Sequence, residues 1–220
     1  MFVPVIHTDK DSVERARDAV RSIEPDIVAV ELDRERYRQL TEVKPEDQKL
    51  VQTPTGNAVQ DLMQNLAILE QNLGEITGSA VGEEMLAAIE EGRKIGSKIA
   101  LVDRPLHLTM QALMSVPLDE LYRLMGLVPG AAEEIRESDA NDIFSMLKSD
   151  GGVEELMKDF ENQFPNTADA LIHQRDRYVA NALVSILGDV EGKVVVVLGA
   201  GHIDGVKRAL GKLLSQESAS

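Results

Sequence analysis

The chain reads as an α/β protein with a partly parallel central sheet, helices on both faces and a helical insertion. Short apolar runs of strand length alternate with amphipathic helical stretches, the order that produces crossover connections. The runs are Val3–Ile6, Ile27–Val30, Ile99–Val102 and Val194–Leu198. Each stops on residues able to do chemistry: His7, Glu31, Asp103-Arg104 and Gly199-Ala200-Gly201-His202. As parallel strands of one sheet, the runs would share an edge at their carboxyl ends, which is where open α/β sheets bind ligands.

After His7, the residues Asp9, Asp11 and Ser12 can each cap a helix that runs through Val13, Ala16, Val20 and Ile23 at helical spacing. Pro25-Asp26 ends it and launches the second strand. Strand, helix and strand then form a βαβ unit whose two strands are expected to pair. A charged helix with Arg34, Arg36 and Tyr37 follows Glu31, with Asp33 as the acid at its start, and it ends near the polar stretch Val43–Gln52. Helical spacing returns at Leu62, Leu66, Leu69 and Leu73, and again at Met85, Ile89 and Ile95, with a break over Gly74–Gly82. Gly96-Ser97-Lys98 turns into the third strand. From Pro105 to about Asp189 only helical patterns occur, punctuated by Pro117, Pro129-Gly130, Gly151-Gly152 and Pro165. This predicts a helical insertion at about 105–189, which is equally a lid or specificity element or a purely structural layer. Residues 1–214 form a single domain, and 215–220 read as a disordered tail.

A chain of 220 residues can bury a full core in one α/β domain. With no cysteine, any metal site must use His, Asp or Glu, a donor set suited to Mn, Co, Zn or Fe. A formal net charge of −15 argues against nucleic acid, whose binding rests on clustered Lys and Arg. No secretory pattern and no run of ~20 apolar residues is visible, so the expected setting is cytoplasmic, or the soluble domain of a membrane-anchored protein. Membrane association would then come only through segments outside this sequence. With no Trp, three Tyr and four Phe, stacking on bases or sugars has few residues to work with.

His7 at a strand exit can bind metal or shuttle protons, although a lone histidine there is usually only a polar rim residue. Glu31 abuts four buried residues and needs a cation or a donor to meet it. Asp103 and Arg104 are either an ion pair with one another or, in the case of Arg104, a clamp for a carboxylate or a developing oxyanion. Glu83 and Glu84 open a helix, where the dipole alone favours acids. Arg175, Asp176, Arg177 and Tyr178 lie on a helix whose apolar positions can turn one arginine inward. The stretch Val194–Leu198 running into Gly199-Ala200-Gly201 lets backbone approach a ligand closely. A dinucleotide fingerprint needs its third glycine one position before Gly205 and a further strand, so nucleotide-cofactor binding is the weaker reading of this loop. His202 instead points to a ligand or acid/base group.

These blocks resemble one family. Ser12-Val13 after His7, Pro25 through Asp33, Gly82-Glu83-Glu84-Met85, Asp103-Arg104, Arg175-Asp176-Arg177-Tyr178 and Gly199 through Gly205 look like the TraB/PrgY family. That family is related to the TIKI proteins. The resemblance spans nearly the whole chain and implies a fold of the erythromycin-esterase and ChaN group, with two Gly-x-x-His motifs and acids around a pocket. TIKI members are divalent-metal-dependent proteases, and PrgY limits the activity of a peptide pheromone. By this likeness His7 and His202 carry the two motifs, although the first reads Pro4-Val5-Ile6-His7, with Pro in place of Gly. Members often continue into membrane-spanning segments.

The expected function is divalent-metal-dependent hydrolysis, foremost of peptides or signalling polypeptides. His7, Glu31 and His202 would be metal ligands or, for Glu31, the base. Arg104 and Arg175 would orient substrate or hold the oxyanion, with Glu84, Asp103, Tyr178, Gly199 and Gly201 contacting substrate. The competing reading is a non-catalytic module of the pheromone-shutdown type that captures a peptide or small ligand. Homo-oligomerisation is left open by the sequence.

Overall fold

The computed structural model describes residues 1–7, 9–42, 53–77, 79–134, 145–149 and 151–217. Four strands, β1 (Phe2–Val5), β2 (Ile27–Val30), β3 (Lys98–Leu101) and β4 (Val194–Gly199), form one sheet in the order β1-β4-β2-β3. Every pair is parallel, so the expected α/β class is the class found. The expected pairing of β1 with β2 is overturned, because β4 lies between them. The run Val195–Leu198 is apolar and fully buried, which suits the middle of a sheet. β1 carries Pro4, which has no amide hydrogen to give to a ladder and belongs on an outer strand.

The helices are α1 (Lys10–Ile23), α2 (Arg34–Glu42), α3 (Ala58–Thr77), α4 (Glu83–Lys94), α5 (Leu106–Leu113) and α6 (Leu118–Glu134). They are followed by α7 (Gly152–Gln163), α8 (Pro165–Ala168), α9 (Gln174–Asp189) and α10 (Ile203–Glu217). A π turn, Asp169–His173, joins α8 to α9, and a 3-10 turn, Ala200–His202, leads from β4 into α10. Asp9 caps α1 by accepting from the Ser12 amide at 3.1 Å, and Asp33 accepts from the Arg36 amide at 2.7 Å at the start of α2.

Alternation along the strands divides the core in two. Val195 and Val197 join Val3, Val5, Val28 and Val30 under Ala16 and Val20 of α1 and Met85, Ala88 and Ile89 of α4. On the opposite face Val196 and Leu198 join Ala29 under Val179, Ala180 and Leu183 of α9 and Val206 of α10. A third cluster stands off the sheet: Val59 and Leu62 of α3, Leu113 of α5, Leu121 and Leu124 of α6, and Phe164 and Ala170. The helical stretch after β3 is thus split. Part of it builds a layer with α3, and its last helix, α9, lies on the sheet as the crossover into β4.

Three boundaries differ from the sequence reading. α3 continues through Gly74 to Thr77, shortening the expected break, and α6 runs through Pro129-Gly130 to Glu134. The two helices concerned, α3 and α6, are neighbours in the helical layer. α10 reaches Glu217, three residues into the expected tail, with Ser215 Oγ donating to the Gly211 carbonyl at 2.8 Å. The polar stretch Val43–Gln52 lies outside the described residues, as do 218–220. Among the described residues no helix is long and apolar enough to cross a membrane.

Candidate functional site

Because the four strands are parallel, the residues that follow them sit along one edge of the sheet. Glu31, one residue past β2, is 4 % exposed. Its Oε2 accepts from the Gly199 amide at the end of β4 at 2.6 Å, and its Oε1 lies 2.8 Å from Arg175 Nη2 and 3.7 Å from His202 Nε2. Gly199 has no side chain to intervene. A methyl built there would stand 3.3 Å from Glu31 Oε2, 3.3 Å from His7 Nε2 and 3.6 Å from His202 Cδ2, so both imidazoles and the carboxylate surround one point.

Each ring is aimed by a buried acid. His7 Nδ1 donates to Glu84 Oε1 at 2.6 Å, and His202 Nδ1 donates to Asp176 Oδ1 at 2.7 Å. Glu84 is fully buried in the first turn of α4, and Asp176 is 3 % exposed in the first turn of α9. Both Nε2 atoms are thereby turned inward. Arg175 Nη1 donates to His202 Nε2 at 3.3 Å, while its Nε and Nη2 fork the two oxygens of Asp103, each at 2.6 Å.

The charges reinforce one another. Desolvation by its packed neighbours alone would lower the pKa of the half-exposed His7, but the hydrogen bond and charge of Glu84, with Glu31 and Glu70 farther off, raise it to about 9. Burial alone would raise that of Glu31, but Arg175 first, then His202 and His7, hold it well below the ordinary carboxylate range. Arg175 is pulled down by burial and raised further by Glu31 and Asp103.

The expected residues thus separate into two groups. His7, Glu31, His202, Arg175, Asp103, Glu84 and Gly199 come together. Arg104 does not join them, and it is not the ion-pair partner of Asp103 either. Its guanidinium turns to the helical layer and donates to Thr109, Gln174 and the Ala170 carbonyl. Gly201 lies against α7, where a methyl would meet Met157 Sδ at 3.1 Å. Tyr178 is 38 % exposed on α9.

Sequence reasoning gave Asp176 no role, and a cue was available. A methyl on Gly205 would fall 1.7 Å from Asp176 Oδ2, so only glycine there lets the carboxylate reach His202. Glu70 on α3, whose charge acts on both His7 and Arg175, carried no signal of its own.

The donor set fits a divalent cation in its chemistry: two inward Nε2 atoms, each with Nδ1 on a carboxylate, and a buried carboxylate between them. Glu31 Oε1 and Glu84 Oε2 are buried oxygens with no hydrogen-bond donor aligned on them. Four acids, Glu31, Glu84, Asp103 and Asp176, face one guanidinium and two imidazoles, a balance that a dication would bring closer to neutral. The spacing of the groups is looser than their chemistry. Among the described residues no three His, Asp or Glu converge as a ready ligand cage, and Arg175 occupies Glu31 Oε1.

An uncharacterized protein of Methanocaldococcus jannaschii is 33 % identical over 216 residues, covering 96 % of this chain and 53 % of its own length. TraB domain-containing proteins of Bos taurus and Homo sapiens are each 26 % identical over 235 residues, covering 94 % of this chain and 61 % of theirs. The chain therefore spans little more than half the length of these relatives. The model of the TraB/PrgY/gumN family matches residues 5–218, from the first strand through the last helix and across every residue of the centre. The chain belongs to the TraB/PrgY/gumN family.

Proposed function

We propose that this domain is a divalent-metal-dependent hydrolase that cleaves peptide bonds, with His7, Glu31 and His202 as the ligand set. The observation that carries the reading is the paired arrangement of the two histidines, each fixed through Nδ1 by a buried acid, with His202 Nε2 near Glu31 and His7 Nε2 and Glu31 Oε2 both beside Gly199. A divalent cation bound there supplies a Lewis acid that polarises a carbonyl and acidifies water.

The protein's own groups do the rest. Glu84 and Asp176 hold the rings in one tautomer and orientation, as carboxylates behind ligating histidines do. Arg175, braced on Asp103, presents a fixed positive charge where an oxyanion or a substrate carboxylate would lie. Gly199 leaves room between the ligands for a reacting group. The His7 side chain, 41 % exposed against 2 % for Glu31 and 16 % for His202, marks the side from which a substrate enters.

The test is metal content after mild purification, followed by peptide hydrolysis with and without Mn²⁺ or Co²⁺. We expect bound or restorable metal and turnover that His202→Ala abolishes. Tight peptide capture with neither metal nor turnover would make the domain a binding module instead.

A further inference from the structure

Arg104 follows Asp103 directly, is 6 % exposed, and spends its guanidinium on the helical layer rather than on His7, Glu31 or His202. Its Nη2 donates to the Ala170 carbonyl at 2.7 Å, its Nε to Thr109 Oγ1 of α5 at 3.1 Å, and its Nη1 to Gln174 Oε1 at 3.5 Å. Gln174 in turn donates from Nε2 to Asp169 Oδ2 at 2.8 Å, and its backbone amide donates to the Asp169 carbonyl five residues back. All of these acceptors except Thr109 belong to the π turn or to its exit. Arg175 and Asp176 come next.

A π turn inserts one extra residue into a helix. Since each helical residue advances the direction of its side chain by about 100°, removing that residue would rotate everything after it by about 100° relative to α8. The segments on either side are anchored in different cores. Phe164 and Ala170 lie in the cluster of the helical layer, whereas Val179, Ala180 and Leu183 lie against the sheet. The extra residue reconciles these anchors while leaving Arg175 against Glu31 and Asp103 and Asp176 against His202. A π turn is a rare, single-turn departure from the helix around it and persists where the surrounding structure over-determines it.

We infer that Arg104 is a positioning residue: by gripping the π turn at Ala170 and Gln174, it sets the rotation of α9 that aims Arg175 and Asp176 into the centre. Its importance for turnover rests on the proposed hydrolysis. The geometric part does not.

The experiment follows the imidazole nitrogens of the ¹⁵N-histidine-labelled whole chain by NMR, without added metal, in wild type and in Arg104→Met. The expected result is a shift of the His202 Nδ1 resonance away from its Asp176-bonded position, while the Nδ1 resonance of His7, held by Glu84 on α4, stays in place. Hydrolysis should fall about 10- to 100-fold, the usual effect of disturbing a group behind a ligand. An unchanged His202 signal in folded Arg104→Met overturns the inference, and so does an equal disturbance of both histidines. If Arg104→Met does not fold, Gln174→Met, which breaks the same grip from the other side, decides by the same two signals. A shifted His202 signal in a protein whose wild type hydrolyses nothing would refute the proposed function and leave the positioning role standing.

Discussion

Replacing Gly199 by alanine should separate the proposed hydrolysis from folding. The backbone there has φ −52°, which any residue adopts, so the methyl introduces no strain and only presses on His7 Nε2 and Glu31 Oε2. Gly199→Ala should melt within a few degrees of wild type but lose about 10- to 100-fold in metal affinity or hydrolysis, since a displacement of about 1 Å or less is felt at such centres. Gly205→Ala should fail on both counts, because its methyl must push Asp176 off His202. The expected loss is about 1–3 kcal/mol in thermal or urea unfolding, together with activity. These two glycines also show what a sequence reveals at this scale. His7, Glu31, Asp103 and His202 were legible because each ends an apolar run, and parallel strands carry their ends to one edge. Asp176 was not, since a helix acid is read as a solvated or dipole-favoured residue until the rotation of its helix is known; Glu84 stood out through the family resemblance, and its part behind His7 did not. Gly205, set in the first turn of a helix where glycine costs about 1 kcal/mol relative to alanine, was the one local sign that backbone had to make room.

At the level of elements, one acid ties the helical layer to the segment that feeds the centre. Glu120 of α6, 3 % exposed, accepts from the Thr167 amide at 2.6 Å, from Thr167 Oγ1 at 2.7 Å and from Asn166 Nδ2 at 2.8 Å, pinning α8 just before the π turn. Burial pushes its pKa up, but these donors, Asn166 foremost, outweigh burial and lower it. A depressed carboxylate contributes stability that is fully present above its unfolded pKa and is lost as the pH falls through the folded value. Glu120→Gln should therefore cost about 1–3 kcal/mol at neutral pH. In paired urea titrations the gap from wild type should begin to narrow once the pH falls below the ordinary glutamate value of about 4.3, and close only below the depressed folded value, where both carry a neutral group. A gap that stayed constant with pH would mean that shape rather than charge holds this joint. The strands and the caps Asp9 and Asp33 were readable from local pattern. The π turn and the clamp on α8 were not, because both are fixed by residues 46 or more positions away.

For the whole molecule, a formal charge of −15 sets a background of self-repulsion that salt should relieve. The melting temperature should rise from low to near-molar NaCl, since the ion pairs of the centre are too buried to be screened in step with the surface. A fall would show that exposed pairs such as Arg17–Glu14 and Arg38–Glu35 matter more than the net charge. The class of the fold was legible because alternating strand and helix patterns admit few architectures. The strand order was not, since the assumption that neighbours in sequence are neighbours in space fails where β4 enters between β1 and β2. That entry also governs how the protein can be made. A ribosome releases β1, β2 and β3 long before Val194–Gly199 emerges, so the nascent chain must hold three sticky segments without the one that unites β1 with the other two. β2 can pair with β3 before that late strand arrives, but β1 joins them only through it, by contacts that span most of the sequence, a topology expected to close slowly. A fragment stopped before Val194 should show no cooperative unfolding transition by circular dichroism.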